Sequence, residues 1–247
     1  MIFNAKNTQN ALPDRLERIL DGGVLRVGTT MDTPVFSMRS ASGELQGFDM
    51  DALETLREAL SVKIEFVKMT FGTMLPDLLA DKFDLAMSGM GRTLDRARVA
   101  TFSKPYMRYG KLVMIRSVDK ERFKTLADLD KLGLKIAFNK GGLNDRFANT
   151  EFKQAAPTGY SSNELATADL LAGLVDAQVQ DSTAAIYRAR MNPKLTAMSP
   201  ENVFNPVYVA VLLRREDQTL LNYVNIWIDQ IEMDGSLAQI RMKWLGY

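Results

Sequence analysis

Hydrophobic positions in this chain recur first at helical spacing and then in short unbroken runs, and the alternation is repeated along its length. Leu16, Ile19 and Leu20 follow Asp14 at helix period, and Gly22-Gly23 stops the run. Val24 to Thr29 is a short apolar strand leading into a loop from Thr30 to Arg39. Ser42-Gly43 marks a hairpin-like turn before Leu45-Gln46-Gly47-Phe48. A helix starting at Asp49 carries Leu53, Leu56 and Leu60 on one face. Ile64 to Val67 is the next strand, Leu75, Leu78 and Leu79 form another helix face, and Phe83 to Met87 reads as a buried strand. Strand, helix, strand, helix, strand is the order of a parallel sheet with crossover helices.

A second series begins after Tyr106. Lys111 to Ile115 is a strand, Thr125 to Leu132 a short helix, and Leu134 to Phe138 a strand that ends in Asn139-Lys140-Gly141-Gly142 and opens a helix near Leu143. Glu164 to Leu174 is a helix with Leu165, Leu170 and Leu171 at core spacing. Ala177 to Gln180 is a strand ending on Asp181, and a helix runs on to about Met191. Asn192-Pro193 and Ser199-Pro200 are breaks. Val207 to Leu213 is one strongly apolar strand, and helices near Asp217 to Met233 and Leu237 to Trp244 close the chain. Asn4 to Pro13 is polar and expected to be loose.

No tandem repeat or Gly/Ser linker separates the two series, and the Val207 strand has no evident partner within the second. The economical arrangement crosses from one lobe to the other near Met107–Lys111 and returns near Asn202–Val207, with the C-terminal helices packed on the first lobe. Residues 1–107 with 207–247 then form one lobe and 108–206 the other. Two connecting strands make a hinge, and the cleft lies at the carboxyl ends of the strands, where open α/β sheets place ligands.

Composition narrows the chemistry. The 247 residues include 31 basic and 30 acidic side chains, a net charge of +1, which removes the electrostatic reason to expect nucleic acid or an anionic membrane as partner. Cysteine and histidine are both absent. Disulfides, thiolate catalysis and Ser-His-Asp arrangements are excluded, and metal sites lose their commonest nitrogen and sulfur ligands. No cofactor and no metal are expected. No apolar run reaches the roughly 18–20 residues of a membrane span. The polar start, MIFNAKNTQN, reads as a mature or trimmed terminus with an added Met, and no signal peptide is visible.

The most informative stretch is Phe83 to Tyr106, FDLAMSGMGRTLDRARVATFSKPY. A strand end, a Gly-Met-Gly bend with free N–H groups, a helix capped by Thr93, and Arg96 converge there. Backbone donors and a helix N-terminus favour an anion, and a guanidinium matches a carboxylate; a solvated helix face is the other reading of Arg96. Ser88, Gly89 and Thr93 are candidates beside it. Gly142, Leu143 and Asn144 follow a second strand end and offer backbone donors, or form an ordinary strand-to-helix turn. Asp181 either caps its helix or accepts an ammonium. Phe71 is an apolar wall or a core residue. An anion clamp facing an isolated carboxylate fits a zwitterion, most simply a free amino acid.

These segments resemble the family 3 extracellular solute-binding proteins, receptors for polar amino acids in ABC importers. GELQGFDMDA, DLAMSGMGRTLDRARVATFSKPY and the acidic strand end VQD carry the resemblance from Val24 to Tyr247. It implies an α/β, two-lobed periplasmic binding protein type II fold, with two mixed sheets flanked by helices and joined by two hinge strands. It also implies that Arg96 clamps a ligand α-carboxylate and Asp181 takes an α-ammonium. The expected protein is periplasmic or otherwise extracytoplasmic and monomeric, binds a small-molecule ligand by hinge closure, and serves the membrane subunits of an ABC importer or a sensory module.

Within the family, FDLAMSGM, RAR…FSKPY…GK, NKGGLNDRFA and MNPKL resemble the cyclohexadienyl (arogenate/prephenate) dehydratases. The position of that branch's general-acid glutamate is Ala184 here. Other departures are Thr33 in place of an aromatic, Phe71 in place of tryptophan, and Gly91 in place of serine. Loss of the acid argues against catalysis, so no catalytic residue is assigned; Asp32, Lys111 and Asp145 are the candidates for a relocated acid. Arg92 is a candidate to narrow the pocket or to favour a second acidic group.

Overall fold

The computed structural model describes residues 13–40, 42–199 and 202–245. The stretch expected to be loose lies outside these up to residue 12, as does Pro200 of the second proline break.

The first sheet has the order Lys63–Lys68, Val24–Thr29, Leu85–Ala86, Leu212–Arg214, Ala100–Phe102. Its first three strands are parallel, as the strand–helix alternation predicts, and Leu212–Arg214 enters antiparallel between Leu85–Ala86 and Ala100–Phe102. Side chains alternate across it: Leu85 and Met87 join a core with Leu53, Leu56, Val224 and Trp227, while Ala86 joins Met74, Leu78 and Phe83 on the opposite face. Helices Phe48–Leu60, Gln218–Met233 and Ser236–Leu245 cover the first of these faces. Full burial of a side chain such as Leu53 or Leu56 contributes about 1.5–3 kcal/mol. Helix Arg15–Gly22 starts with a capping box, Asp14 accepting from the Glu17 N–H and Glu17 reaching back, and stops at Gly23.

The second sheet has the order Ala156–Tyr160, Lys135–Asn139, Ala177–Asp181, Met107–Arg116, Leu195–Met198. Met107–Arg116 is its long strand and also one of two crossings between the sheets. The C-terminal half of that strand pairs with Ala177–Asp181 and Leu195–Met198, while Phe204–Val209 runs antiparallel to its N-terminal half.

Two expectations change. Val207 to Leu213 is not one strand: Phe204–Val209 pairs with the crossing strand, Ala210 donates to the Met90 carbonyl, and Leu212–Arg214 enters the other sheet. An unbroken apolar run hides this switch because each half is buried by a different sheet. In helix Asn163–Ala172 the buried face is Asn163, Ala166, Thr167 and Leu170, and Leu165 and Leu171 are exposed. Small and polar residues cover the sheet there, so leucine spacing alone misplaces the face.

Candidate functional site

The chain leaves strand Leu85–Ala86 and turns at Gly89, where φ is +64° and an added Cβ would stand 2.6 Å from the Phe36 ring. The Gly89 N–H donates to Asp49 Oδ2 at 2.7 Å, and the Tyr106 hydroxyl donates to Asp49 Oδ1 at 2.8 Å. Burial pushes the Asp49 carboxyl up to about 7, against the pull of those two bonds. The Arg92 N–H donates to the Tyr208 carbonyl. Of the bend donors expected to be free for a ligand, the Gly89 N–H is therefore committed to the fold.

What the corner offers instead is a guanidinium. Thr93 caps helix Leu94–Ala97 by accepting from the Arg96 N–H at 3.3 Å, and this turns Arg96 inward to 8% exposure. Arg96 Nη1 donates to the Gly91 carbonyl at 2.9 Å, and among the described residues no carboxylate forms a salt bridge with it. Burial lowers its pKa; Tyr109 and Asp181 oppose that, and Arg146 adds to it. The solvated-face reading of Arg96 is excluded.

Across the cleft, antiparallel register places Asp181 directly opposite Lys111. Asp181 holds the N-cap position of helix Ser182–Met191 but makes no side-chain capping bond. Its Oδ1 accepts from Lys111 Nζ, an ion pair in which both side chains are buried. Asp181 is thus not the isolated carboxylate that local sequence predicts, because its partner lies 70 positions away along the chain. Burial lowers the Lys111 pKa, Asp181 counters this, and the Arg96 charge lowers it further.

Phe71, Arg96, Tyr109, Lys111, Asn139, Leu143, Asn144 and Asp181 surround a cavity of about 10 Å³. Phe71 and Asn139 also line a cleft of about 790 Å³ that leads away from it. The two lobes touch at its mouth: Arg146 pairs with Asp95 at 2.7 Å, and a Cβ on Gly141 would stand 2.6 Å from Gly72 Cα.

The structure therefore brings Arg96, Asp181, Leu143, Asn144 and Phe71 together, with Gly142 packed on the Phe71 ring and Thr93 behind as a cap. Ser88 and Thr33 line neither cavity. Ser88 Oγ sits 2.8 Å from Thr30 Oγ1 and from Ser37 Oγ, and Thr33 Oγ1 sits 2.8 Å from Thr30 Oγ1, all buried. Arg92 is exposed and lines neither cavity. Asp145 is occupied by the Gly141 N–H and Asn149. Ala184 is buried outside both linings. Sequence reading missed Lys111 as partner to Asp181, and missed Glu164, which lines the large cleft. Burial and the charge of Asp32 raise the Glu164 carboxyl, with Arg188 opposing. No local motif marks Glu164, and the GK run that ends at Lys111 carries no sign of its pairing with Asp181.

The model of the bacterial extracellular solute-binding proteins, family 3, matches residues 25–247. The chain is 36% identical over 243 residues to cyclohexadienyl dehydratase of Pseudomonas aeruginosa, covering 98% of this chain and 90% of that protein. It is 30% identical to the L-arginine-binding protein of the same organism, covering 90% and 88%. Among solved structures, an ancestral amino acid-binding protein described as a precursor of cyclohexadienyl dehydratase superposes with a TM-score of 0.88 at 33% identity, covering 93% and 98%. A mutant of ArgBP from T. maritima gives 0.87 at 29% identity, covering 94% and 99%. The fold is that of the two-lobed periplasmic binding proteins, with mixed sheets flanked by helices.

Proposed function

The chain belongs to the bacterial extracellular solute-binding proteins of family 3, and from that premise we propose that it captures an amino acid or a closely related small carboxylate between its lobes by hinge closure. The observation that carries this reading is Arg96: a buried guanidinium with a single carbonyl for a partner, facing a second lobe that supplies Lys111 and Asp181. A carboxylate is the group whose shape and charge such a fork answers. The ligand carboxylate docks on Arg96, Phe71 and Leu143 wall it, and the remainder extends past Asn139 into the larger cleft.

Residues 1–107 with 207–247 and residues 108–206 are the two moving bodies in this proposal. The cavity at Arg96 is far smaller than any amino acid, so entry requires the lobes to part. Closure is then favoured by contacts that exist only when the lobes meet. The protein acts outside the cytoplasmic membrane, as a monomer, and hands its ligand to the membrane subunits of an importer. Calorimetric titration with small carboxylates tests the clamp. Saturable binding is expected, and an unchanged affinity in Arg96→Ala would remove Arg96 from the site.

A second reading starts from Glu164, which lines the large cleft beside Asp32 in a chain 36% identical to a dehydratase. In that reading Glu164 supplies the proton that Ala184 cannot. Incubation with prephenate and arogenate, followed by detection of phenylpyruvate or phenylalanine, decides it; product formation abolished in Glu164→Gln is the expected signature.

A further inference from the structure

Three ionised side chains meet around the small cavity: Arg96, Lys111 and Asp181. Strand register sets Lys111 against Asp181, and the two neutralise each other in a buried ion pair. Among the described residues, Arg96 is left as one positive charge without a carboxylate. A bound carboxylate cancels it. A zwitterion does not, because its ammonium brings a second cation to an aspartate that already holds one. The corner would then keep net positive charge away from water, which is unfavourable.

The adjoining cleft leans the same way. Its charged lining is Arg39, Lys68, Lys140 and Arg188 against Asp32 and Glu164, and Glu164 is already paired with Arg188 at 3.1 Å. Asn144 adds a polar detail. It is buried, its Nδ2 donates to Asn139 Oδ1 at 2.8 Å, and its Oδ1 has no hydrogen-bond partner. A hydroxyl beside the ligand carboxylate donates to such an oxygen without adding charge.

We propose that this site prefers a small carboxylate without an ammonium group, best matched by a 2-hydroxy acid, over the amino acid of the same side chain. Lys111 sets that preference by standing as the resident counter-ion of Asp181. The inference rests on Arg96 being the carboxylate clamp.

Isothermal titration of the intact chain with matched pairs tests it: L-phenylalanine against 3-phenyllactate, L-leucine against 2-hydroxy-4-methylpentanoate, L-glutamate against 2-hydroxyglutarate. In each pair that binds, the hydroxy acid is expected to bind at least about tenfold more tightly, the scale of one charged group left unpaired. Lys111→Gln keeps a hydrogen-bond donor for Asp181 and removes the charge, so the ratio moves toward the amino acid by about tenfold or more. The ratio in the unmodified protein decides the matter even where the variant does not fold. An amino acid that binds more tightly than its hydroxy acid overturns the preference and leaves the Arg96 clamp standing. A ratio unmoved by Lys111→Gln removes Lys111 as its cause. Failure of every compound to bind overturns the clamp as well.

Discussion

Arg15 and Arg96 hold the chain on either side of strand Leu85–Ala86, through Asp84 and the Gly91 carbonyl, and both are almost fully buried, at 4% and 8% exposure. They differ in what answers their charge. Arg15 donates to Asp81, Asp84 and Asp217, at 2.5, 2.8 and 3.0 Å. Burial opposes its charge, but the hydrogen bonds to Asp81 and Asp84 and the charge of Asp217 hold its pKa above the ordinary arginine range. Arg96 has one carbonyl, and burial takes its pKa in the other direction. A buried charge that the protein answers in full is part of the fold. One that it leaves to a carbonyl is held for something else, because burying it unpaired is costly.

Deleting each arginine should separate the two roles. Arg15→Met strands Asp217 as a buried carboxylate, while Asp84 keeps Arg26, and breaking a buried pair in this way costs about 3–5 kcal/mol. Urea denaturation should show that loss, while affinity per folded molecule stays unchanged. Arg96→Ala should do the reverse: ligand affinity falls about 100-fold, in line with roughly 2–5 kcal/mol for truncating one side of a buried charge pair. Its denaturation midpoint should hold or rise, since no carboxylate is stranded. Equal destabilisation by both substitutions would mean that both arginines serve the fold.

Asp49 sharpens the comparison from the side of the acids. Its folded-state pKa of about 7 lies above the model-compound value of 3.8. The stability it contributes is therefore complete below about pH 4 and is lost as pH rises through 7. Denaturation midpoints measured from pH 4 to 8 should carry a falling component that flattens in Asp49→Asn. The smallest effect belongs to Arg146→Ala. Its pairing with Asp95 joins the lobes at an exposed surface, and such pairs contribute about 0–1 kcal/mol. Affinity should change by less than tenfold, and small-angle scattering should show a modest shift toward the open form.

The sequence reading reached the frame of the molecule because its signals are local. Glycine pairs end helices, apolar runs make strands, and Thr93 caps the turn that carries Arg96. It located Asp181 at a strand end for the same reason. It could not reach the partner of Asp181, which depends on antiparallel register with a strand 70 residues earlier. Nor could it see that the Gly89 N–H serves Asp49, 40 residues away, or that Ser88 and Thr33 close a hydroxyl cluster with Thr30 and Ser37. Each of these is a contact between segments, and periodicity along one segment carries no trace of it. Leu165 shows the same limit in reverse: a leucine at good helical spacing faces the large cleft because smaller residues take the sheet.

Gly141 and Gly72 bring bare backbone from opposite lobes to the mouth of the small cavity. In the proposed closure, main chain meets main chain there, and that contact sets how near the lobes can come. Under the proposed function, that contact limits the width of the Arg96 end of the site. The open cleft beyond Phe71 has no such stop. Under the proposed function, selection by size then falls on the head of the solute, and its tail lies in the wider cleft.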